Sequence, residues 1–248
     1  MDLYWIKNLK QALLEDRIFC YYQPIVNNSN YKIEHYEVLC RLRESNGKII
    51  NASYFIKAAQ EVGLVTKITK VILDEAFKNF SKTNYNFSIN ICHYDLYEDY
   101  LLEYIQHKCK MYYVDPSRVY LELIGETHLV HSDALIEQIT KLQKFGIHIG
   151  IDDINMEYSL FSRMLHLNAD YIKIDKHFTH NIAQNSSNQE MVGLIVEFAK
   201  KSNMKTIAEH VETQEEFEVI TQLGVDYSQG YFIGKPNDST SIKKAKIE

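Results

Sequence analysis

Residues 147–154 read "IHIGIDDI", an apolar run that ends abruptly in two adjacent aspartates, Asp152 and Asp153. The alternating isoleucines suit a buried strand more than a helix of so few residues. Neighbouring carboxylates repel one another and resist burial together unless a cation lies between them. The stretch is therefore read as a strand that delivers two acids to a shared site.

The same form recurs along the chain. Strand-like runs fall at 18–26 ("IFCYYQPIV"), 35–42 ("HYEVLCRL"), 87–92 ("FSINIC"), 119–125 ("VYLELIG"), 147–154, 169–175 ("ADYIKID"), 205–211 ("KTIAEHV") and 227–234 ("YSQGYFIG"). Helical patterning falls between them at 53–80, with Ser53 as its N-cap, and at 94–111, 132–145, 159–165, 187–201 and 213–223. Apolar strands alternating with amphipathic helices predict a parallel sheet covered by helices. About eight such units in 248 residues predict a TIM-like (β/α)8 barrel, in the α/β class and forming a single domain over 1–248. An open doubly wound sheet is the other candidate, but no Gly-rich phosphate loop follows the first strand. Only "NNSNYKI" separates the first two strand runs, so they are expected to form an antiparallel hairpin and make the barrel irregular.

Bulk properties exclude several classes. Hydrophobic residues make up 46% and charged residues 24%, enough for a large core and against global disorder. Net charge is −6 with scattered basic residues, so no DNA or RNA polymer is expected as a partner. No run is long enough to span a bilayer and the start "MDLYWIKNLK" is not a signal peptide, which predicts a cytoplasmic domain without a membrane segment. Its first residues read as an amphipathic helix. Cys20, Cys40, Cys92 and Cys109 form no CxxC pair and are expected to be reduced thiols. His128/His131 and His177/His180 are expected to be solvated.

Each strand-like run carries a polar residue ill suited to a core: Gln23, Glu37, Asn90, Glu122, Asp152 with Asp153, Lys173, Glu209 and Gln229. In a barrel the C-terminal strand ends meet at one mouth, so residues distant in sequence would form one site. Five carboxylates with one amide and one lysine, without His or Cys, suit Mg2+ or Mn2+ rather than zinc. So many acids predict two ions bridged by an aspartate, an arrangement that activates water and clamps a phosphoryl group. Asp175, by contrast, reads as a cap of the following segment. No GxSxG, Walker loop or HExxH is present.

These residues resemble the EAL family of cyclic di-GMP phosphodiesterases, named for a Glu-Ala-Leu motif. "YYQPIV…EVLCR" is similar to its "YQPI…EALxR", with Val38 for the alanine; "INIC" to "xNxS"; "LELIGET" to "LEITES"; "IDDI" to "DDFG"; "YIKID" to "xxKID"; "AEHVET" to "AEGVE"; "QGYFIGKP" to "QGYxxxxP". The resemblance runs from about residue 7 to 236. It implies a TIM-like barrel with its first strand antiparallel to the others, two Mg2+ or Mn2+ ions, and hydrolysis of cyclic di-GMP to linear pGpG. By the same resemblance, Glu37, Asn90, Glu122 and Asp152 hold one metal, and Asp152 and Asp153 the second. Lys173 and Glu209 position the attacking water. Gln229 and Glu212 support the site, while Gln23, Leu39, Arg41, Gln229 and Pro236 contact the dinucleotide. A homodimer and an upstream sensory or cyclase domain are also implied.

The chain departs from the family pattern in three places. The family's "DDFGTGYSS" is here "DDINMEYSL", which removes both glycines. Position 125 is Gly where the family has a loop-anchoring glutamate, with Glu126 one residue late, and His210 stands for a usual glycine. The first two keep a second reading open, an EAL domain of weak or no activity that serves as a cyclic di-GMP receptor or a protein-docking domain.

Overall fold

β1 (Ile18–Asn27) and β2 (Ile33–Arg43) form a long antiparallel hairpin, with Gln23 opposite Glu37. Parallel to β2 follow β4 (Asn86–Ile91), β5 (Val119–Leu123), β6 (His148–Ile151), β7 (Tyr171–Ile174), β8 (Lys205–Ala208) and β9 (Tyr227–Gln229). β9 pairs with β1 in the antiparallel sense and closes the barrel. Eight strands thus form the ring among the described residues, the first running against the rest, as the sequence predicts. This computed structural model describes residues 3–97, 100–123, 133–152, 167–239 and 242. A three-residue strand that the patterning does not reveal, β3 (Ile49–Asn51), pairs with β2 outside the ring.

Alternation along the strands divides the residues. On β4, Phe87, Ile89 and Ile91 are buried against the helical layer, while Asn90 points into the barrel. The covering helix α3 (Val65–Phe80) buries Ile68, Ile72, Leu73, Ala76, Phe77 and Phe80, a stripe at helical spacing. Phe80 stacks on Phe87 at 4.6 Å and Phe77 meets the same ring edge-on at 5.4 Å. Full burial of each such side chain contributes roughly 1.5–3 kcal/mol.

The helical stretch 53–80 is broken in the structure. It contains a 3-10 turn (Ala52–Tyr54), a helix (Ile56–Glu61) and α3. Ser53 is not an N-cap: it lies inside the 3-10 turn, and fully buried Phe55 leaves helical geometry at φ −130°. Gly63, at φ +66°, makes the second break, in a region that glycine enters without strain. The stretch 94–111 corresponds to His93–Tyr97 and Tyr100–Tyr112, and 132–145 to Asp133–Phe145. The expected helix at 159–165 lies outside the described residues.

The last strand is shorter than 227–234, because the chain turns at Gly230. A Cβ there would stand 2.1 Å from the Val211 carbonyl oxygen, so only glycine lets the two backbones pass. Asp175 caps the short helix after β7 by accepting from the His177 N–H at 2.8 Å. Thr213 and Glu216 form a reciprocal capping box at the helix Gln214–Gln222. All four cysteines are buried free thiols, and His177 and His180 are exposed. Among the described residues no helix is long and apolar enough to cross a membrane.

Candidate active site

Parallel register sets the residues of the mouth side by side. Asn90 of β4 lies opposite Glu122 of β5, and Glu122 lies opposite Gly150 of β6. Asp152 follows two residues beyond Gly150 and so returns to the inner face. Lys173 on β7, Glu209 just after β8 and Gln229 on β9 continue the circle.

Lys173 is its centre. The side chain is fully buried, and its Nζ lies 2.8 Å from Glu209, 3.1 Å from Glu122, 3.3 Å from Glu37 and 3.6 Å from Asp152. Glu37 also accepts from Asn90 Nδ2 at 2.7 Å and from Gln229 Nε2 at 2.6 Å. Gln229 Nε2 reaches Gln23 Oε1 at 3.1 Å, and Gln23 donates to the Gly234 carbonyl at 3.2 Å. Of the residues singled out in the sequence, the structure brings together Gln23, Glu37, Asn90, Glu122, Asp152, Lys173, Glu209 and Gln229.

Four acids around one ammonium leave an excess of negative charge, and burial adds to its cost. Burial pushes Glu122 up to about 7, against the pull of Lys173. Burial likewise pushes Glu209 up to about 8, again opposed by Lys173. Burial works on Glu37 in the same sense, but Lys173 with the Gln229 and Asn90 amides outweighs it and holds that carboxyl below its ordinary value. Burial opposes charge on Lys173 too, yet the combined field of Asp152, Glu122, Glu209 and Glu37 raises its pKa well above the usual lysine value.

The donor set fits a hard divalent cation. It offers carboxylate and amide oxygens only, it carries surplus negative charge, and among the described residues the buried Asn90 Oδ1 and Gln229 Oε1 have no hydrogen-bond partner. In this arrangement the carboxylates lean on Lys173. Among the described residues, no three acidic, His or Cys side chains gather at metal-ligand spacing. Asp153, Gly125, Glu126 and the stretch 154–157 lie outside the described residues.

The remaining candidates sit at the rim. A cavity of about 360 Å3 opens beside β2, with Leu39, Arg41, Asn90 and Asp152 on its wall and Val65 and Ile68 at its apolar side. Arg41 donates to the Cys40 carbonyl at 2.9 Å and lies over the Tyr21 ring, within the electrostatic reach of Glu37. Pro236 is half-buried after the Gly230 turn. Glu212 is exposed, and its backbone N–H donates to Glu216 at 2.8 Å. Among the described residues its carboxylate meets none of the cluster.

Two residues that the sequence reading passed over belong to the site. Tyr171 donates from its hydroxyl to Glu122 Oε1 at 2.7 Å. Gly150 lies beside it. Neither carries a charge that interrupts an apolar run, but Tyr171 stands two residues before Lys173, a spacing that puts both on the inner face. His210, the third departure noted above, takes a left-handed backbone, φ +54°, which accounts for a glycine preference at that point.

A closed barrel with one reversed strand and an acid-lined mouth around a buried lysine defines a TIM-like barrel with a polar centre at its mouth. Residues 6–236 match the EAL domain, and the chain belongs to that family. It is 29% identical over 243 residues to the cyclic di-GMP phosphodiesterase PdeB of Shewanella oneidensis, covering 96% of this chain and 28% of that protein. It is 30% identical over 236 residues to the probable cyclic di-GMP phosphodiesterase PdeA of Escherichia coli, covering 93% of this chain and 32% of that one. The chain thus spans about a third of the length of these curated relatives. Among solved structures, it is similar to the PaMucR phosphodiesterase in complex with c-di-GMP. That match has a TM-score of 0.89 at 27% identity and covers 97% of this chain and 100% of that one.

Proposed function

We propose that this chain is a metal-dependent phosphodiesterase that hydrolyses cyclic di-GMP to linear pGpG. The observation that carries the reading is the oxygen-only cluster of Glu37, Asn90, Glu122, Asp152 and Glu209 around Lys173, in a chain of the EAL family. Glu37, Asn90, Glu122 and Asp152 would hold one Mg2+ or Mn2+, and Asp152 with Asp153 a second. Bound there, such a pair lowers the pKa of water and polarises the phosphoryl oxygens.

The chain's own residues supply the rest. Lys173 and Glu209, 2.8 Å apart, position the water that attacks phosphorus. Glu209, in its ionised form beside Lys173, accepts a proton from that water. The P–O3′ bond breaks as the water oxygen bonds to phosphorus, and the 3′ oxygen takes up a proton from solvent as it leaves. The Arg41 guanidinium offers a fork to the phosphate, and the apolar cavity beside Leu39 receives a base. Gln23, Gln229 and Pro236 line the rest of the dinucleotide path, with Glu212 supporting from outside the cluster.

We place this barrel in the cytoplasm as one EAL-type domain, spanning 1–248, of a longer signalling protein. It would follow a sensory or cyclase domain and act as a homodimer. The length of the relatives supports the wider context. The test is incubation of the purified protein with cyclic di-GMP and Mn2+ or Mg2+, followed by separation of the nucleotides. Accumulation of pGpG, abolished by Glu37→Ala, is expected. Binding of cyclic di-GMP without product would overturn the enzyme reading in favour of a receptor.

A further inference from the structure

Glu122, Gly150 and Tyr171 form one rung across three neighbouring strands, since Glu122 lies opposite Gly150 and Gly150 opposite Tyr171. The middle position has no side chain, and the tyrosine ring occupies its place. A Cβ at residue 150 would stand 2.2 Å from Tyr171 Cζ and 2.5 Å from its hydroxyl oxygen. Gly150 needs no unusual backbone; its role is space. Through that gap Tyr171 reaches past β6 to Glu122 Oε1, at 2.7 Å, while Lys173 holds Glu122 Oε2 at 3.1 Å. Each oxygen of this fully buried carboxylate therefore has its own donor from the same strand, two residues apart.

We propose that Tyr171 is a positioning residue for the reaction, fixing the rotation of the Glu122 carboxylate, and that Gly150 is the clearance it requires. The inference rests on Glu122 being a metal ligand, as proposed above. A carboxylate held by one donor can turn about its last bond. One held at both oxygens presents its remaining lone pairs in a single direction. Hydrogen bonds of this kind behind a ligand typically tune metal affinity or activity about 10–100-fold.

The experiment is an Mn2+ titration followed by electron paramagnetic resonance, without substrate, together with steady-state hydrolysis of cyclic di-GMP. Tyr171→Phe keeps the ring and removes one oxygen. It is expected to weaken Mn2+ binding by about 10-fold and to lower kcat similarly while KM stays within about twofold. Gly150→Ala, which drives the ring away from Glu122, should do at least as much. In a Tyr171→Ala background the same Gly150→Ala change should cost less than about twofold, because the obstacle is gone.

A Tyr171→Phe protein that matches the parent in both Mn2+ affinity and kcat overturns the inference and leaves the proposed function standing. A parent that binds Mn2+ but makes no pGpG removes the enzyme reading, and the titration alone then decides the role of Tyr171. A parent that binds no Mn2+ overturns both.

Discussion

The inner faces of the same strands carry two layers, one above the other, and the layers differ in kind. At the C-terminal mouth stand Glu37, Asn90, Glu122, Lys173 and Gln229. Two residues earlier on the parallel strands stand His35, Ser88, Tyr120, Tyr171 and Tyr227. The lower layer is aromatic: Tyr120 stacks on His148 at 4.5 Å and meets His35 edge-on at 4.7 Å. It surrounds a cavity of about 230 Å3, with the His148–Asp170 pair at its edge. The upper layer gathers charge that repels itself, and the lower layer packs rings that do not. The self-repelling charges thus stand on a floor of packed rings. Tyr171 joins the two layers, with its ring below and its hydroxyl above.

The largest break in this contrast comes from Lys173→Met. Removing the only cation of the described cluster leaves four acids buried together, and loss of one side of a buried charged group costs about 3–5 kcal/mol. Urea unfolding in EDTA should show that loss, with partial recovery on adding Mn2+. A variant as stable as the parent in EDTA would show that the lysine does not hold the acids in place.

Next in size, the two layers should titrate in opposite directions. Glu122 and Glu209 are raised to about 7 and about 8, chiefly by burial. The metal-free fold therefore binds protons that the unfolded chain releases. Their contribution to stability is complete below the ordinary carboxylate range and is lost as pH rises through 7 to 8. His35 is the reverse, because burial lowers it to about 3, with only partial opposition from Glu37. Its contribution is present above the ordinary histidine value and is lost as pH falls toward 3, by about 1.4 kcal/mol per pH unit. Two carboxyls outweigh one histidine between their ordinary values, so thermal melts in EDTA should peak in acidic buffer, at about pH 4–5. Replacing His35→Phe should flatten only the acidic side; a change confined to the alkaline side would contradict the assignment.

The smallest effect lies outside both layers. His210→Gly relieves a left-handed backbone at an exposed residue. The gain, reduced by the greater freedom of glycine when unfolded, is about 0.5–1 kcal/mol. A urea midpoint at or below that of the parent would argue against strain there.

Much of this was legible in the sequence because charge interrupts apolar runs. Glu122 in "VYLELIG", Asp152 in "IHIGIDDI" and Lys173 in "YIKID" are conspicuous among isoleucines, and a barrel forces such residues to one end. The short link before β2 likewise foretold the reversed first strand. What was not legible followed from the lack of such contrast. Tyr171 reads as one more apolar strand residue, and Gly150 as an incidental glycine, until the register puts one in the space left by the other. The aromatic layer was within reach, since stepping back two residues from Glu37, Glu122, Lys173 and Gln229 lands on His35, Tyr120, Tyr171 and Tyr227. Ser53 failed as a cap because burial of Phe55, a tertiary demand, overrode the local signal.

The reversed first strand also dictates the order of assembly. β1 finds β2 only a few residues away, so that hairpin can form early. Its other edge is filled by β9, where Ile25 pairs with Gln229, and Tyr22 bridges to Asn237 beyond. These partners lie some two hundred residues downstream. Until β9 is present the ring can be no more than an open sheet with two bare edges, one on β1 and one on β8. Gln229, the residue on that strand that grips Glu37, makes completion of the mouth and closure of the barrel a single late event.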